Sequence, residues 1–275
     1  MALALEAGER EAVREVRALL EKGGDLEKEG AAEFCSDATL LRFLRARKHQ
    51  VELAHKMVRA SIKWRADNRP LEVQCEACAQ NPRSHTLREV GMDRELRPVF
   101  YSSFAGQQNK DADDNIDHII MVLERTFDLI PAQQLVWIID VAGFSAGDLT
   151  PSTGKQALKL FGDHYPERLA SVIVLDSPLV FSGLWRVLKQ WIDPQTHKKI
   201  QFVRMRDREA VFKAMFDDAL FARIEAELAD TRDEARLASK SWWEETPLPP
   251  PRLEGRKIVP DDELEVDDCA VPVAS

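Results

Sequence analysis

Five apolar residues in an unbroken run, Leu135-Val136-Trp137-Ile138-Ile139, constrain this chain more than any other stretch. A surface helix keeps one polar side and a half-exposed strand alternates, so a short uninterrupted apolar run reads as a strand covered on both faces. Such strands belong to largely parallel sheets, whose consecutive strands are joined by helices. The flanking sequence supplies both. Pro98-Val99-Phe100-Tyr101 is a strand before the run, and Ile116, Ile120, Leu123, Phe127 and Ile130 form one helical stripe between the two. After the run come a helix at 151–163 with Pro151 in its first turn, a strand at 171–175, a helical segment at 183–191 and a strand at 200–204. The order βαβαβαβ predicts an α/β domain with a largely parallel sheet.

The preceding residues have a different period. Val13, Val16, Leu19 and Leu20 are spaced for a helix at 10–22, which Gly23-Gly24 stops. Ser36-Asp37 caps a second helix carrying Leu40, Leu41, Phe43 and Leu44. A third begins near Val51, with Leu53, Met57, Ala60 and Trp64 as its apolar stripe, and ends before Pro70. The expected organisation is an all-helical N-terminal unit at 1–85, an α/β domain at 86–245, and a Pro-rich, acidic, mobile tail at 246–275. Residues 208–245 read as helical, and Trp242-Trp243 as packing back on the domain.

A net charge of -9 argues against general nucleic-acid binding, but the charge is unevenly spread. Residues 42–69 hold nine Lys/Arg against two acids, and six acids lie between Asp261 and Asp268. The basic stretch reads first as a solvated helix face and second as a surface for an anionic membrane or phosphate. No run approaches the roughly 18 apolar residues of a membrane span, and Met1-Ala2-Leu3-Ala4-Leu5 meets Glu6 too early for a signal-peptide core. The expectation is a cytoplasmic protein, peripherally associated with membranes. Four cysteines then imply no disulfides, and Cys75-Glu76-Ala77-Cys78, lacking a second C-x-x-C, reads as a structural pair with no metal.

Gly143-Phe144-Ser145-Ala146-Gly147 after a strand imitates the nucleophile elbow of a serine hydrolase, with Asp163 or Asp176 and then His197 as partners in chain order. An elbow runs straight into a helix, whereas Asp148-Leu149-Thr150-Pro151 intervenes here. Asp111, Asp113 and Asn115 imitate a calcium loop, but Ile116 replaces its Gly and Val122 its closing Glu, so a solvated loop is expected. Residues 183–192 are apolar around most of a helix, with only Arg186, Lys189 and Gln190 polar near its middle. Such a helix is either wholly buried or shields something apolar.

Several motifs recur together. They are Leu40-Leu41-Arg42-Phe43-Leu44-Arg45-Ala46-Arg47-Lys48 with Trp64-Arg65, Asp140-Val141-Ala142-Gly143-Phe144-Ser145, Tyr165-Pro166-Glu167-Arg168, Ser177-Pro178, and Asp193-Pro194 followed by Thr196 and Lys199. In order and spacing, over residues 10–205, they resemble the CRAL-TRIO family of lipid-binding and phosphatidylinositol transfer proteins. The resemblance implies a domain that encloses one lipid behind a mobile gate helix near 183–191. It places the phosphatidylinositol headgroup on Arg47, Glu167, Arg168, Thr196 and Lys199. It assigns gate and acyl-chain pocket to Leu184, Trp185, Leu188, Trp191 and Ile192. It implies no catalysis and no cofactor beyond the bound lipid; the partners are the phospholipid, a transient membrane surface and lipid kinases, not nucleic acid.

The residue types suit that chemistry. Thr196 and Lys199, three apart, sit on one helical turn and can face one phosphate, while a carboxylate such as Glu167 can accept bonds from inositol hydroxyls. Where members that also bind phosphatidylcholine carry small hydroxyl residues on the central strand, this chain has Leu135 and Trp137, so weak or absent phosphatidylcholine binding is expected. The alternatives are a carrier of a retinoid, tocopherol or sterol, and a serine hydrolase acting through Ser145.

Overall fold

The computed structural model describes residues 7–129, 134–145, 148 and 151–240. Trp242-Trp243, the acidic tail, Ile130 and the Ala146-Gly147 end of the elbow-like motif lie outside them. The described residues form two compact units that divide between Asp67 and Asn68. Residues 68–85, expected with the helical unit, make their contacts with the second.

The first unit is helical: α1 (Ala7–Lys22), α2 (Ala31–Phe34), α3 (Asp37–Ala46) and α4 (Val51–Asn68). Ser36 caps α3 by accepting the Thr39 amide at 3.3 Å, a contact that satisfies one of the amides a helix start leaves open. Val16, Leu20, Leu40, Phe43, Leu44 and Val58 form its core. The buried stripe of α4 is Ala54, Met57, Val58, Ser61 and Ile62, one position round from the expected one, and Leu53 is 47% exposed. Small Ala54 and Ser61 let the helix approach its neighbours closely, which a count of large apolar residues misses. Much of the basic stretch is internally engaged: Arg45 with Glu9, Arg59 with the buried Asp25, Lys63 with Asp67, and Arg65 over the Phe34 ring.

The second unit begins with α5 (Glu76–Gln80), β1 (Arg88–Met92), β2 (Pro98–Ser103), α6 (Ala112–Leu129), β3 (Leu135–Asp140), α7 (Ser152–His164) and β4 (Leu169–Leu175). It continues with α8 (Phe181–Leu188), a 3-10 turn Lys189–Trp191, α9 (Pro194–Lys198), β5 (Ile200–Val203), α10 (Arg208–Met215), α11 (Asp218–Asp230) and α12 (Glu234–Ser239). The strands lie in sequence order, β2 to β5 parallel and β1 antiparallel at the edge. The expected α/β fold with a largely parallel sheet is therefore present, with one more strand than the sequence shows. β1 (Arg88-Glu89-Val90-Gly91-Met92) escapes pattern reading because its register shifts between Glu89 and Gly91.

Register separates the two sheet faces. Val99, Tyr101, Val136, Ile138, Ile173, Leu175 and Val203 share the face covered by Phe212, Phe216, Leu220, Ile224 and Leu228 of the α10–α11 segment. The opposite face carries Trp137, Ile139, Val172, Val174, Ile200 and Phe202, and α8 lies over part of it through Phe181 and Leu184. The first face is sealed; on the second, Trp137 and Ile139 are half-buried and Phe202 is 46% exposed. No described helix is long and apolar enough to cross a membrane.

The Asp111 loop is a helix start rather than a free loop. Asp111 Oδ1 accepts the amides of Asp113 and Asp114 at 2.9 and 3.1 Å, capping α6.

Candidate functional site

Glu167 and Lys199 meet where β4 and β5 begin. Lys199 Nζ lies 2.9 Å from Glu167 Oε2, with both side chains partly exposed. Lys199 is held there by the fold: its carbonyl accepts the Val172 amide at 2.8 Å, and its amide donates to Thr196 at 3.0 Å. Thr196 and Lys199 thus share one turn. Asp193 organises that turn by accepting the Gln195 and Thr196 amides at 2.9 and 3.0 Å, with Pro194 in the first helical position. Burial raises the Asp193 pKa, but hydrogen bonds from the Thr196 hydroxyl and the two amides outweigh it and hold the carboxyl below its ordinary value.

Glu167 has φ 57, a left-handed backbone that a residue bearing a Cβ adopts at a cost of about 1–2 kcal/mol. Flanking contacts impose it: the Glu167 carbonyl accepts Gln134 Nε2 at 3.2 Å, and the Arg168 carbonyl accepts the Leu135 amide at 2.8 Å. Strain of this kind collects at functional positions. Arg168 stacks its guanidinium 3.8 Å from the Phe127 ring centroid on α6, and Tyr165 donates to Glu124 at 2.5 Å. Arg47 belongs to the N-terminal unit, where it ends α3 and donates to the Ala46 carbonyl at 3.1 Å.

Beside the ion pair lies the apolar half of the arrangement. Leu184 is buried, and Trp185 packs edge-to-face on Phe202 at 5.0 Å and near His197 at 6.0 Å. Leu188 rests on Gly154 of α7, where an added Cβ would come within 2.9 Å of its Cδ2. Trp191 is 45% exposed beneath Lys155, and Ile192 is half-buried. With Leu179, Val180 and Val187 also exposed, the segment presents apolar side chains to solvent along its outer side. Trp137 occupies the sheet face itself, its indole donating to Ser102 at 2.9 Å and its ring 6.0 Å from Phe161.

The other end of the sheet is closed by a polar knot that sequence reading missed. Asp140, fully buried at the end of β3, accepts the Tyr101 hydroxyl at 2.7 Å and both Arg232 terminal nitrogens at 2.8 and 2.9 Å. Burial works against the Arg232 charge, and the Asp140 bonds outweigh it, so its pKa is raised. Burial, and then the Asp140 charge, push the Tyr101 phenol well above its usual range. Ligands of open parallel sheets usually bind at the carboxyl ends of strands. Here that end carries this knot, and Glu167 and Lys199 sit at the amino ends of β4 and β5. Only the Asp of the Asp140-x-x-Gly143 motif hinted at the knot; Arg232 carries no local signal.

The elbow-like motif is a turn. Gly143 has φ 78, and a Cβ there would lie 2.8 Å from the Ala105 Cα. The Ser145 hydroxyl donates to Asp148 at 2.7 Å, and Asp148 is ion-paired with Lys110. A nucleophilic serine instead donates to a general base. Lys110 and Ser145 hold the Asp148 carboxyl below its ordinary value against the effect of burial, which makes it a poor base.

Comparison with known proteins agrees with this architecture. The CRAL/TRIO domain model matches residues 89–223, and the CRAL/TRIO N-terminal domain model matches residues 12–60. A CRAL-TRIO domain-containing protein of Schizosaccharomyces pombe is 30% identical over 181 residues, covering 61% of this chain and 41% of that protein. Phosphatidylinositol transfer protein CSR1 of Eremothecium gossypii is 27% identical over 184 residues, 61% of this chain and 42% of that protein. Phosphatidylinositol/phosphatidylcholine transfer protein SFH12 of Arabidopsis thaliana is 28% identical over 184 residues, 58% and 34%. The chain therefore spans less than half the length of each of these relatives. The crystal structure of Sfh5 superposes with a TM-score of 0.58 at 15% identity, covering 74% of this chain and 82% of that one, a likeness of fold. With family models matched in both its helical and its α/β unit, the chain belongs to the CRAL-TRIO family.

Proposed function

We propose that this protein binds one phosphatidylinositol and exchanges it between membranes, with Lys199 and Thr196 addressing the phosphate and Glu167 the inositol hydroxyls. The observation that carries the reading is the adjacency of a partly exposed Glu167–Lys199 pair and an incompletely covered apolar sheet face beneath α8. Arg168 and Arg47 are proposed to support the headgroup by charge. Leu184, Trp185 and Leu188 form the inner side of the gate, Trp191 and Ile192 its end.

Energetics demand such an apolar enclosure. Moving about thirty lipid methylenes through water costs roughly 25 kcal/mol at ~0.8 kcal/mol per CH₂, far more than any headgroup contact returns. The gate therefore opens against a bilayer, and the exposed Leu179, Val180, Val187 and Trp191 provide its membrane-facing edge. Peripheral membrane association and delivery of the headgroup to lipid kinases follow from this reading. Trp137 fills sheet surface that a second headgroup would need, so phosphatidylcholine is not carried in that mode.

Vesicle-to-vesicle transfer of labelled phosphatidylinositol and phosphatidylcholine tests the proposal. Transfer of phosphatidylinositol well above phosphatidylcholine is expected; equal transfer of both, or of neither, contradicts it.

A further inference from the structure

Away from the lipid site, four side chains from three places in the sequence converge in the second unit. Cys75 precedes α5, Cys78 lies within it, His85 follows it, and His118 belongs to α6. All are buried, with exposures of 5%, 2%, 2% and 1%. Cys75 Sγ is 3.3 Å from His85 Nδ1, and Cys78 Sγ is 3.5 Å from both His85 Nδ1 and His118 Nδ1. All four atoms lie within 4.8 Å of one another. We propose that Cys75, Cys78, His85 and His118 form a structural zinc site.

The distances are those of a tetrahedron around a cation. Metal–sulfur bonds of about 2.3 Å and metal–nitrogen bonds of about 2.0 Å give ligand–ligand edges of roughly 3.3–3.8 Å. The histidine chemistry agrees. His118 Nε2 lies 2.8 Å from the Leu87 carbonyl, which only accepts, so Nε2 carries the proton and Nδ1 turns its lone pair toward the sulfurs. A metal-bound imidazole is oriented by such a bond on its far nitrogen. His85 directs Nδ1 at both sulfurs while its buried Nε2 has no hydrogen-bond partner. A hydrogen-bonding role alone places that ring poorly, whereas a metal bond through Nδ1 gives its burial a purpose. The Cys78 amide donates to Cys75 Sγ at 3.4 Å, an outer-shell bond suited to a thiolate.

Donor type selects the metal. Two sulfurs and two imidazoles in a tetrahedral arrangement suit zinc, and two thiolates neutralise its charge, which permits complete burial. Four protein donors leave no position for water, so the site is structural rather than catalytic. It ties α5 and the lead into β1 onto α6. The sequence expectation of no metal rested on the missing second C-x-x-C. The fold supplies the second pair as histidines, 7 and 40 residues beyond Cys78, a spacing outside the usual finger patterns.

The test is metal analysis of the whole protein, purified without chelators or a metal-affinity step. About one zinc per chain is expected, lost in Cys75→Ser/Cys78→Ser and in His118→Gln. Replacement by cobalt is expected to give the intense visible bands of a tetrahedral thiolate site. Wild-type protein carrying no zinc or a different metal overturns the proposal, and it does so whether or not the variants fold. Full zinc content in the double cysteine variant, or a Cys75–Cys78 disulfide in the native protein, overturns it equally.

Discussion

Replacing Lys199 by Ala separates a headgroup ligand from a piece of scaffold. Both backbone bonds of Lys199, to Val172 and Thr196, survive the change, so only the 2.9 Å ion pair with Glu167 is lost from the fold. With the two side chains 22% and 31% exposed, such a pair contributes about 0–1 kcal/mol. The melting temperature is therefore expected to fall by no more than about 2–4 °C. A charge-assisted bond to a phosphate is worth about 1.5–3 kcal/mol, so affinity for phosphatidylinositol drops by roughly 10- to 100-fold. The assay pairs thermal unfolding with transfer between vesicles. Glu167→Gly sharpens it: glycine accepts the left-handed backbone at φ 57, so the fold is no less stable while transfer is still lost. Wild-type transfer in both variants, or loss of transfer only through a melting temperature lowered by ten degrees or more, refutes the assignment.

Three further outcomes follow. Arg232→Ala leaves the buried Asp140 carboxylate without its cation and lowers unfolding free energy by about 3–5 kcal/mol in denaturant titration, whereas Ser145→Ala leaves both stability and transfer within experimental error. Gly143→Ala forces a Cβ against the Ala105 backbone in a left-handed turn and is expected to cost at least ~2 kcal/mol on the same measurement. For pH, burial raises the Glu227 pKa, but Arg88 and Lys240 outweigh it and depress the carboxyl below its unfolded value. Its contribution is therefore present above the unfolded carboxylate value of about 4.3 and is lost as pH falls through the lower folded value, so Glu227→Gln flattens the acid limb of the stability profile.

The local features were legible in the sequence because their signals are local. The apolar run at β3 announced a strand covered on both faces, Ser36 announced a helix start, and Asp193-Pro194 announced another. Glu167 and Lys199 were reached through motif resemblance, and their direct pairing depends on β4 lying beside β5, which no single segment encodes. The rest was hidden by distance along the chain. Arg232 reaches Asp140 across 92 residues, and His118 reaches Cys78 across 40. In α4 the stripe was misplaced because Ala54 and Ser61, not larger residues, form the contact surface. β1 was missed because an edge strand with a shifted register keeps no clean alternation.

Lipid extraction and mass spectrometry of the protein purified from cells bears most directly on the central claim. One phosphatidylinositol per chain is the predicted result, reduced in Lys199→Ala protein of unchanged fold. A retinoid, tocopherol or sterol in its place, or a phosphatidylinositol content indifferent to Lys199 and Glu167, contradicts the account.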